Sequence, residues 1–180
     1  SNFGDSKIFF IDISGGFNAA PTVLGSVRIP FFAEDMVVTP NGKWVLVTDG
    51  GFSPRAAVVD IAGRYLLNNN NLGTRYANAV DITPDGKYVL LADYFQGRAH
   101  SYALQSDGSL AYINTSWFLP FRPVNVTFSP DGKTAILAIA GSPTCVALAI
   151  DGTGLIYKTT IVAMPFKNGQ SCVFNSTGDK

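Results

Sequence analysis

Histidine occurs once in this 180-residue chain, cysteine twice, and methionine twice. Nowhere is there a run of about 18 apolar residues, the length a helix needs to cross a bilayer. A transmembrane helix is therefore excluded. The N-terminus shows no signal-peptide pattern either, as would also be true of a trimmed chain. The single histidine, His100, leaves no Ser/His/Asp nucleophile arrangement, and no phosphate-cradling glycine loop or haem-type Cys-x-x-Cys-His is present. Cys145 and Cys172 are too few for a disulfide framework and lack metal-site spacing. They read as two small buried hydrophobes, with a bridge between neighbouring units as the alternative. There is no charge surplus: 13 basic and 13 acidic side chains cancel. Nucleic acid and anionic membranes, which select a basic excess, are excluded as main partners. Helical spacing of apolar residues is also missing.

What the chain has is repetition. Thr39-Pro40-Asn41-Gly42-Lys43-Trp44 recurs as Thr83-Pro84-Asp85-Gly86-Lys87-Tyr88 and as Ser129-Pro130-Asp131-Gly132-Lys133-Thr134, the prolines standing 44 and 46 residues apart. A worn copy, Asn175-Ser176-Thr177-Gly178-Asp179-Lys180, follows. Proline presets φ, and Gly beside Asn or Asp tolerates the positive φ of a tight hairpin, so each copy reads as a turn into an apolar strand. A second mark has the same period. Pro30-Phe31, Pro120-Phe121 and Pro165-Phe166 close the last strand of their units, and the phenylalanines are expected to pack between neighbours.

Strand-like runs fill each period. Residues 7–13 and 22–29 read as the third and fourth strands of a first unit. The second unit has strands at 35–39, 44–48 and 56–61 and a fourth starting at Tyr65, with 68–71 a loop or irregular edge strand. The third has 79–83, 88–92, 99–104 and 110–118. The fourth has 124–129, 134–138, 145–150 and 155–163, and another inner strand is expected at 171–174. Four strands per period of the mid-forties define an all-β propeller of four-stranded antiparallel blades and exclude paired-helix solenoids. The chain reads as one propeller domain, or a fragment of one, with blade pieces 1–32, 33–76, 77–122, 123–167 and 168–180. Missing blades or a second chain are then needed to close the ring. Alternatively, 171–174 pairs beside the strand at 7–13.

With those residues, the sequence resembles the YVTN-type β-propeller repeat family. Trp44-Val45-Leu46-Val47-Thr48-Asp49 and Tyr88-Val89-Leu90-Leu91-Ala92-Asp93 match the family's second strand with Asp for the usual Asn, and Val59-Asp60-Ile61 and Ile11-Asp12-Ile13 match its strand ending. The resemblance covers nearly the whole chain. It implies a propeller, but it spreads over surface proteins, sugar-lactone hydrolases and redox-enzyme subunits.

In a propeller, the loops entering the inner strands and those joining second to third strands share one face around the channel. The candidate ligand residues on that face are Glu34, Asp35, Asp49, Arg55, Asn78, Asp93, Arg98, Asn125 and Gln170. Arg75, Arg122 and Lys167 follow the closing residues of their blades. Asp49 and Asp93 are also suited to fixing loops by accepting backbone N–H bonds. No cofactor is required; if Ca²⁺ is held, Glu34 and Asn78 are its ligands, since a hard ion takes oxygen donors. Tyr76-Ala77-Asn78-Ala79-Val80 is similar to the entry of calcium-dependent gluconolactonase-type propellers, and residues 101–110 are similar to the metal-free lactonase branch. That branch places His near the channel, whereas His100 falls inside a third strand.

The function expected is therefore a non-catalytic binding or scaffold propeller that recognises a small polar molecule, a glycan or a protein. The alternative is a lactonase acting on sugar lactones. Three sequons, at Asn114, Asn125 and Asn175, point to an extracellular or periplasmic location.

Overall fold

The computed structural model describes residues 6–16, 19–51, 55–119, 122–165 and 170–175. These contain fourteen strands in four antiparallel sheets and no α-helix. The first sheet pairs β1 (Lys7–Asp12) with β2 (Thr22–Arg28). The second runs β3 (Ala33–Val38), β4 (Trp44–Asp49), β5 (Arg55–Asp60) and β6 (Tyr65–Asn71) in chain order. The third runs β7 (Ala77–Ile82) through β8 (Tyr88–Asp93) and β9 (Arg98–Leu104) to β10 (Leu110–Thr115). The fourth runs β11 (Arg122–Phe128) through β12 (Thr134–Ala140) and β13 (Thr144–Ile150) to β14 (Ile156–Ala163). This is a β-propeller arc, with the innermost strands β3, β7 and β11 side by side.

The repeated turn motif closes in the same way three times. The hydroxyls of Thr39, Thr83 and Ser129 donate to Oδ1 of Asn41, Asp85 and Asp131 at 2.8, 2.7 and 2.6 Å. The backbone N–H of Lys43, Lys87 and Lys133 donates to that same oxygen. The first residue of each following strand donates its N–H back to the hydroxyl at 3.0 Å. A small hydroxyl, a proline and an Asx residue at this spacing are what the closure requires.

The core lies between blades, because neighbouring sheets bury the faces that meet. One cluster joins the first sheet to the second through Ile8, Val27, Phe31, Val47 and Val59. Another joins the second to the third through Leu46, Val58, Leu91 and Tyr102, and a last one joins the third to the fourth through Leu90, Leu137, Ile139 and Leu148. Phe31 is thus packed between blades as expected, while Phe121 and Phe166 lie outside the described residues.

Polar side chains on the innermost strands fasten each blade to the next. Asp35 Oδ2 accepts from Val80 N at 2.9 Å, Asn78 Nδ2 donates to Val124 O at 3.1 Å, and Asp81 Oδ2 accepts from Phe128 N at 2.7 Å. Asn125 Oδ1 accepts from Cys172 N at 3.2 Å. The outer strands do likewise through Asn70 and Asn114. Asn70 Oδ1 accepts from Leu110 N at 2.8 Å, and Asn114 bonds both N and O of Ile156. Each such bond contributes about 1 kcal/mol net, and losing one leaves a buried group unpaired.

Residues 68–71 are the irregular edge strand of the two readings: they end β6, past a register shift against Val58 and Val59, with Asn70 buried and bonded across the blade boundary. Three expectations change. β10 ends at Thr115 rather than at 118; Ser116 N still donates to Ala99 O, but the return bond from Ala99 N goes to the Ser116 hydroxyl in place of a backbone carbonyl. Residues 171–174 form no strand ladder with β1 or any other strand among the described residues; they lie beside β11 through the Asn125 bond. Finally, Cys145 on β13 and Cys172 are joined as a disulfide, so the two are not merely buried hydrophobes. The turn copy at 176–180 lies outside the described residues.

Candidate functional site

Antiparallel register sorts the loops onto two ends of the blades. Ala77 pairs with Asp93, and Asp93 with Arg98; Ala33 pairs with Asp49, and Arg122 with Ala140. One end therefore carries the inner-strand entries and the loops between second and third strands. The other end carries the Pro-containing turns. The sequence-predicted candidates belong to the first end.

The structure divides them. Asp35, Asn78 and Asn125 spend their side chains on the backbone of the neighbouring inner strand, as above, and so serve the blade joints. Asp49 and Asp93 are buried and fix loops: Asp49 Oδ1 accepts from Gly51 N at 2.7 Å, and Asp93 Oδ1 accepts from Phe95 N and Gln96 N at 3.0 and 2.9 Å. The second oxygen of Asp93 takes the N–H of Arg75. Burial pushes the Asp49 carboxyl up, opposed by the Gly51 N–H and by Arg55. Arg55 Nε lies 3.9 Å from Asp49 Oδ2, a loose ion pair worth little. Arg98 stacks over the Phe118 ring with its guanidinium carbon 4.4 Å from the centroid, and Gln170 is exposed.

Glu34 is held differently. Its Oε2 accepts from the Tyr76 hydroxyl at 3.1 Å, and burial together with this carboxylate pushes the Tyr76 phenol up. Tyr76 belongs to an aromatic group. Its ring centroid lies 6.0 Å from that of Tyr94 and 5.4 Å from that of Phe95, and Tyr94 meets Phe95 edge-to-face at 5.1 Å. Arg122, from the next blade, lies 5.0 Å from the Tyr94 centroid and donates from Nη1 to the Tyr94 hydroxyl at 3.2 Å. Thus Glu34, Tyr76, Tyr94, Phe95 and Arg122, drawn from three successive blades, form one continuous surface at the entry end. Aromatic planes edged by one carboxylate and one guanidinium suit stacking on a sugar or a planar group while bonding its polar rim.

Sequence reasoning missed the aromatic members. Tyr94 and Phe95 follow Asp93 directly, and two adjacent aromatics in a loop where an Asp fixes the backbone were the available signal. Glu34 and Asn78, the pair that would meet around Ca²⁺, are committed to separate partners and do not fit a shared ion site. Among the described residues no three His, Cys, Asp or Glu side chains gather where a metal could sit. His100 lies within β9, buried, with Nδ1 2.8 Å from Thr115 Oγ1 and Nε2 3.9 Å from Asp93 Oδ2. Burial, reinforced by Arg98 and opposed by Asp93, holds its pKa below the usual imidazole range.

No protein-family model and no functionally curated protein matches the sequence. Solved structures do match in fold. The chain superposes on Kuenenia stuttgartiensis hydrazine synthase with a TM-score of 0.72 at 23% identity, over 91% of this chain and 45% of that one. On a candidate 6-phosphogluconolactonase from Bacteroides uniformis the TM-score is 0.78 at 18% identity, over 91% of this chain and 50% of that one. A Myceliophteria thermophila Cps50 (Swd1) β-propeller domain gives 0.68 at 13% identity, over 89% and 53%. The class is therefore a β-propeller of four-stranded blades. This chain spans about half the length of the chains it matches.

Proposed function

We propose that this chain is part of a non-catalytic binding propeller, built on YVTN-type repeats, whose channel-end surface recognises a small polar molecule or glycan. The observation that carries the reading is the surface made by Tyr76, Tyr94 and Phe95 with Arg122 stacked on it and Glu34 at its edge. Recognition works by apolar contact with the ring faces and by charge-assisted bonds from Arg122 and Glu34. A protein side chain inserted into the same surface would be read by the same chemistry. The expected site shrinks accordingly: Asp35, Asn78 and Asn125 hold the scaffold, and Asp49 and Asp93 shape the loops.

A lactone hydrolase is the second reading, favoured by the likeness in fold to candidate 6-phosphogluconolactonases. General acid–base work requires a group within reach of the substrate, and His100 is packed inside its blade. The test has two arms. Screening a glycan and metabolite panel by calorimetry should give a ligand whose affinity falls at least about tenfold in Tyr94→Ala and Arg122→Ala, the change expected for roughly 1.4 kcal/mol of lost contact. Incubation with sugar lactones, with and without Ca²⁺, should give no turnover. Turnover abolished by Glu34→Gln or Asn78→Ala would replace the binding reading with the hydrolase.

A further inference from the structure

Asp93 sits where the two halves of the channel-end surface meet. Its Oδ1 accepts from Phe95 N and Gln96 N at 3.0 and 2.9 Å, and its Oδ2 accepts from Arg75 N. Arg75 precedes Tyr76, whose carbonyl takes the N–H of Tyr94 at 3.1 Å. One carboxylate therefore ties the strand entry that carries Tyr76 to the loop that carries Tyr94 and Phe95.

Behind this carboxylate stands His100. Its Nε2 lies 3.9 Å from Asp93 Oδ2, is buried, and has no hydrogen-bond partner among the described residues. Nδ1 is tethered to Thr115 Oγ1 at 2.8 Å. The repeat shows that the fold does not demand these groups. Register puts Ile139, Val146 and Ile161 of the fourth blade where the third has Asp93, His100 and Thr115. Ile139 and Val146 are fully buried there. Keeping a buried carboxylate and a half-bonded imidazole in place of two aliphatic side chains costs stability. A titratable ring so placed can act on the surface through the carboxylate that fixes it.

The charged groups that act on His100 are Asp93, at the end of β8, and Arg98 on β9. Tyr102, on the same face of β9, has its phenol pushed up to about 12, chiefly by burial, and stays neutral. β10 presents Thr115, and the second blade meets this face with Leu46, Ala56, Val58 and Leu72, none of which titrates. A protonated ring bears N–H on both nitrogens, so Nε2 becomes a donor facing Asp93 Oδ2. The gap must close by about 1 Å to make a charge-assisted hydrogen bond. Thr115 and the β9 ladder hold the ring, whereas Asp93 ends its strand, so the carboxylate is the part that moves. Burial, against the pull of Asp93, sets the transition below the usual imidazole range, and at neutral pH Arg75 N–H stays held.

We propose that His100 and Asp93 form a proton-operated latch on the channel-end surface. On taking a proton from solvent, His100 draws Asp93 Oδ2 off the Arg75 N–H, and the Tyr76 side of the surface comes free of the Tyr94–Phe95 side. The consequence is ligand release in acid, which rests on the channel-end surface being the binding site; the latch itself needs no ligand. The test is nuclear magnetic resonance of the chain between about pH 7.5 and about pH 5, a range that brackets imidazole titration. The Arg75 amide should titrate with the same midpoint as the His100 Cε1–H. Its protection from hydrogen exchange should fall at least about tenfold on the acid side, and proton–proton contacts between the Tyr76 and Phe95 rings should weaken with it. His100→Gln, which stays neutral, should leave the Arg75 amide unmoved. An Arg75 amide that keeps its shift while the ring titrates overturns the proposal. So does a ring that has taken no proton by about pH 5, and so do ring contacts that persist in acid or an Arg75 titration that survives in His100→Gln. If that variant fails to fold, the two midpoints in the wild-type chain decide: coincidence supports the latch, and separation overturns it. None of these readings involves a ligand, so a panel that yields no ligand counts against the binding reading alone.

Discussion

His100 and the asparagines show how single residues serve this fold. His100 faces Asp93 at 3.9 Å and Thr115 at 2.8 Å inside a blade, and its pKa is lowered chiefly by burial. The linkage sign follows. At pH above the unfolded value of about 6.5 both states hold a neutral imidazole, and the residue contributes no pH dependence. Between that value and the lower folded pKa the unfolded chain binds a proton that the folded chain does not, so stability falls as the pH falls. Urea unfolding measured from pH 7.5 to 5 should show this decline, and His100→Gln should flatten it. An unchanged slope in the variant would assign the decline to other groups. Asn114 has both amide atoms bonded to Ile156, and the Asn125 carbonyl oxygen holds Cys172 N. A glycan is carried on Nδ2, and at Asn114 that nitrogen is engaged with Ile156 O inside a blade joint, whereas at Asn125 the joint uses the carbonyl oxygen.

Among the elements, the turn between third and fourth strands packs on the preceding blade. Ser101 Oγ and Tyr88 Oη of the third blade donate to the carbonyls of Gly154 and Gly152 at 2.6 and 2.9 Å. Gly154 has φ +81°, and a Cβ there would come within 2.4 Å of the Tyr88 ring and 2.8 Å of Ile113 Cδ1. Gly152, two residues earlier, has open space around the same position. Gly154→Ala combines backbone strain with overpacking and is expected to cost about 2 kcal/mol or more. Gly152→Ala is expected to change stability by about 0.5 kcal/mol or less. Denaturant midpoints of the two variants check this, and equal midpoints would mean that the turn does not clamp the blades together.

At the scale of the whole molecule, the arc has two apolar end faces. On the first sheet Phe9, Ile11 and Val23 are 40%, 53% and 61% exposed. On the fourth, Ile136, Ala147, Val162 and Val173 line a cavity of ≈180 Å³ beside the Cys145–Cys172 bridge. Such faces are what an adjoining blade covers elsewhere in the arc, and apolar patches with unpaired strand edges favour association in water. Light scattering on this chain should therefore show an apparent mass that rises with concentration. Ile11→Lys with Val23→Lys should lower that mass while the circular dichroism spectrum is unchanged. A concentration-independent monomer would contradict the expectation.

The sequence by itself determined the blades. The Thr/Ser-Pro-Asx-Gly-Lys turn is closed by bonds among neighbours two to five residues apart, so its residue types and spacing carry the whole instruction. The apolar strands that follow are recognised from a short continuous apolar run and the turn chemistry before it, and the period counts them. Tertiary structure alone decided what the polar side chains do. Whether Asp35 faces a ligand or Val80 N depends on a bond across 45 residues, and the Asn70, Asn78 and Asn114 joints span 38 to 46. No local pattern distinguishes a carboxylate aimed at a neighbouring strand from one aimed at solvent. The same holds for the bridge of Cys145 to Cys172 and for the aromatic surface. Tyr76, Tyr94, Phe95 and Arg122 become one surface only when the third and fourth blades are packed together, because the closeness of Arg122 to Tyr94 is fixed by the blade joint and not by the chain between them.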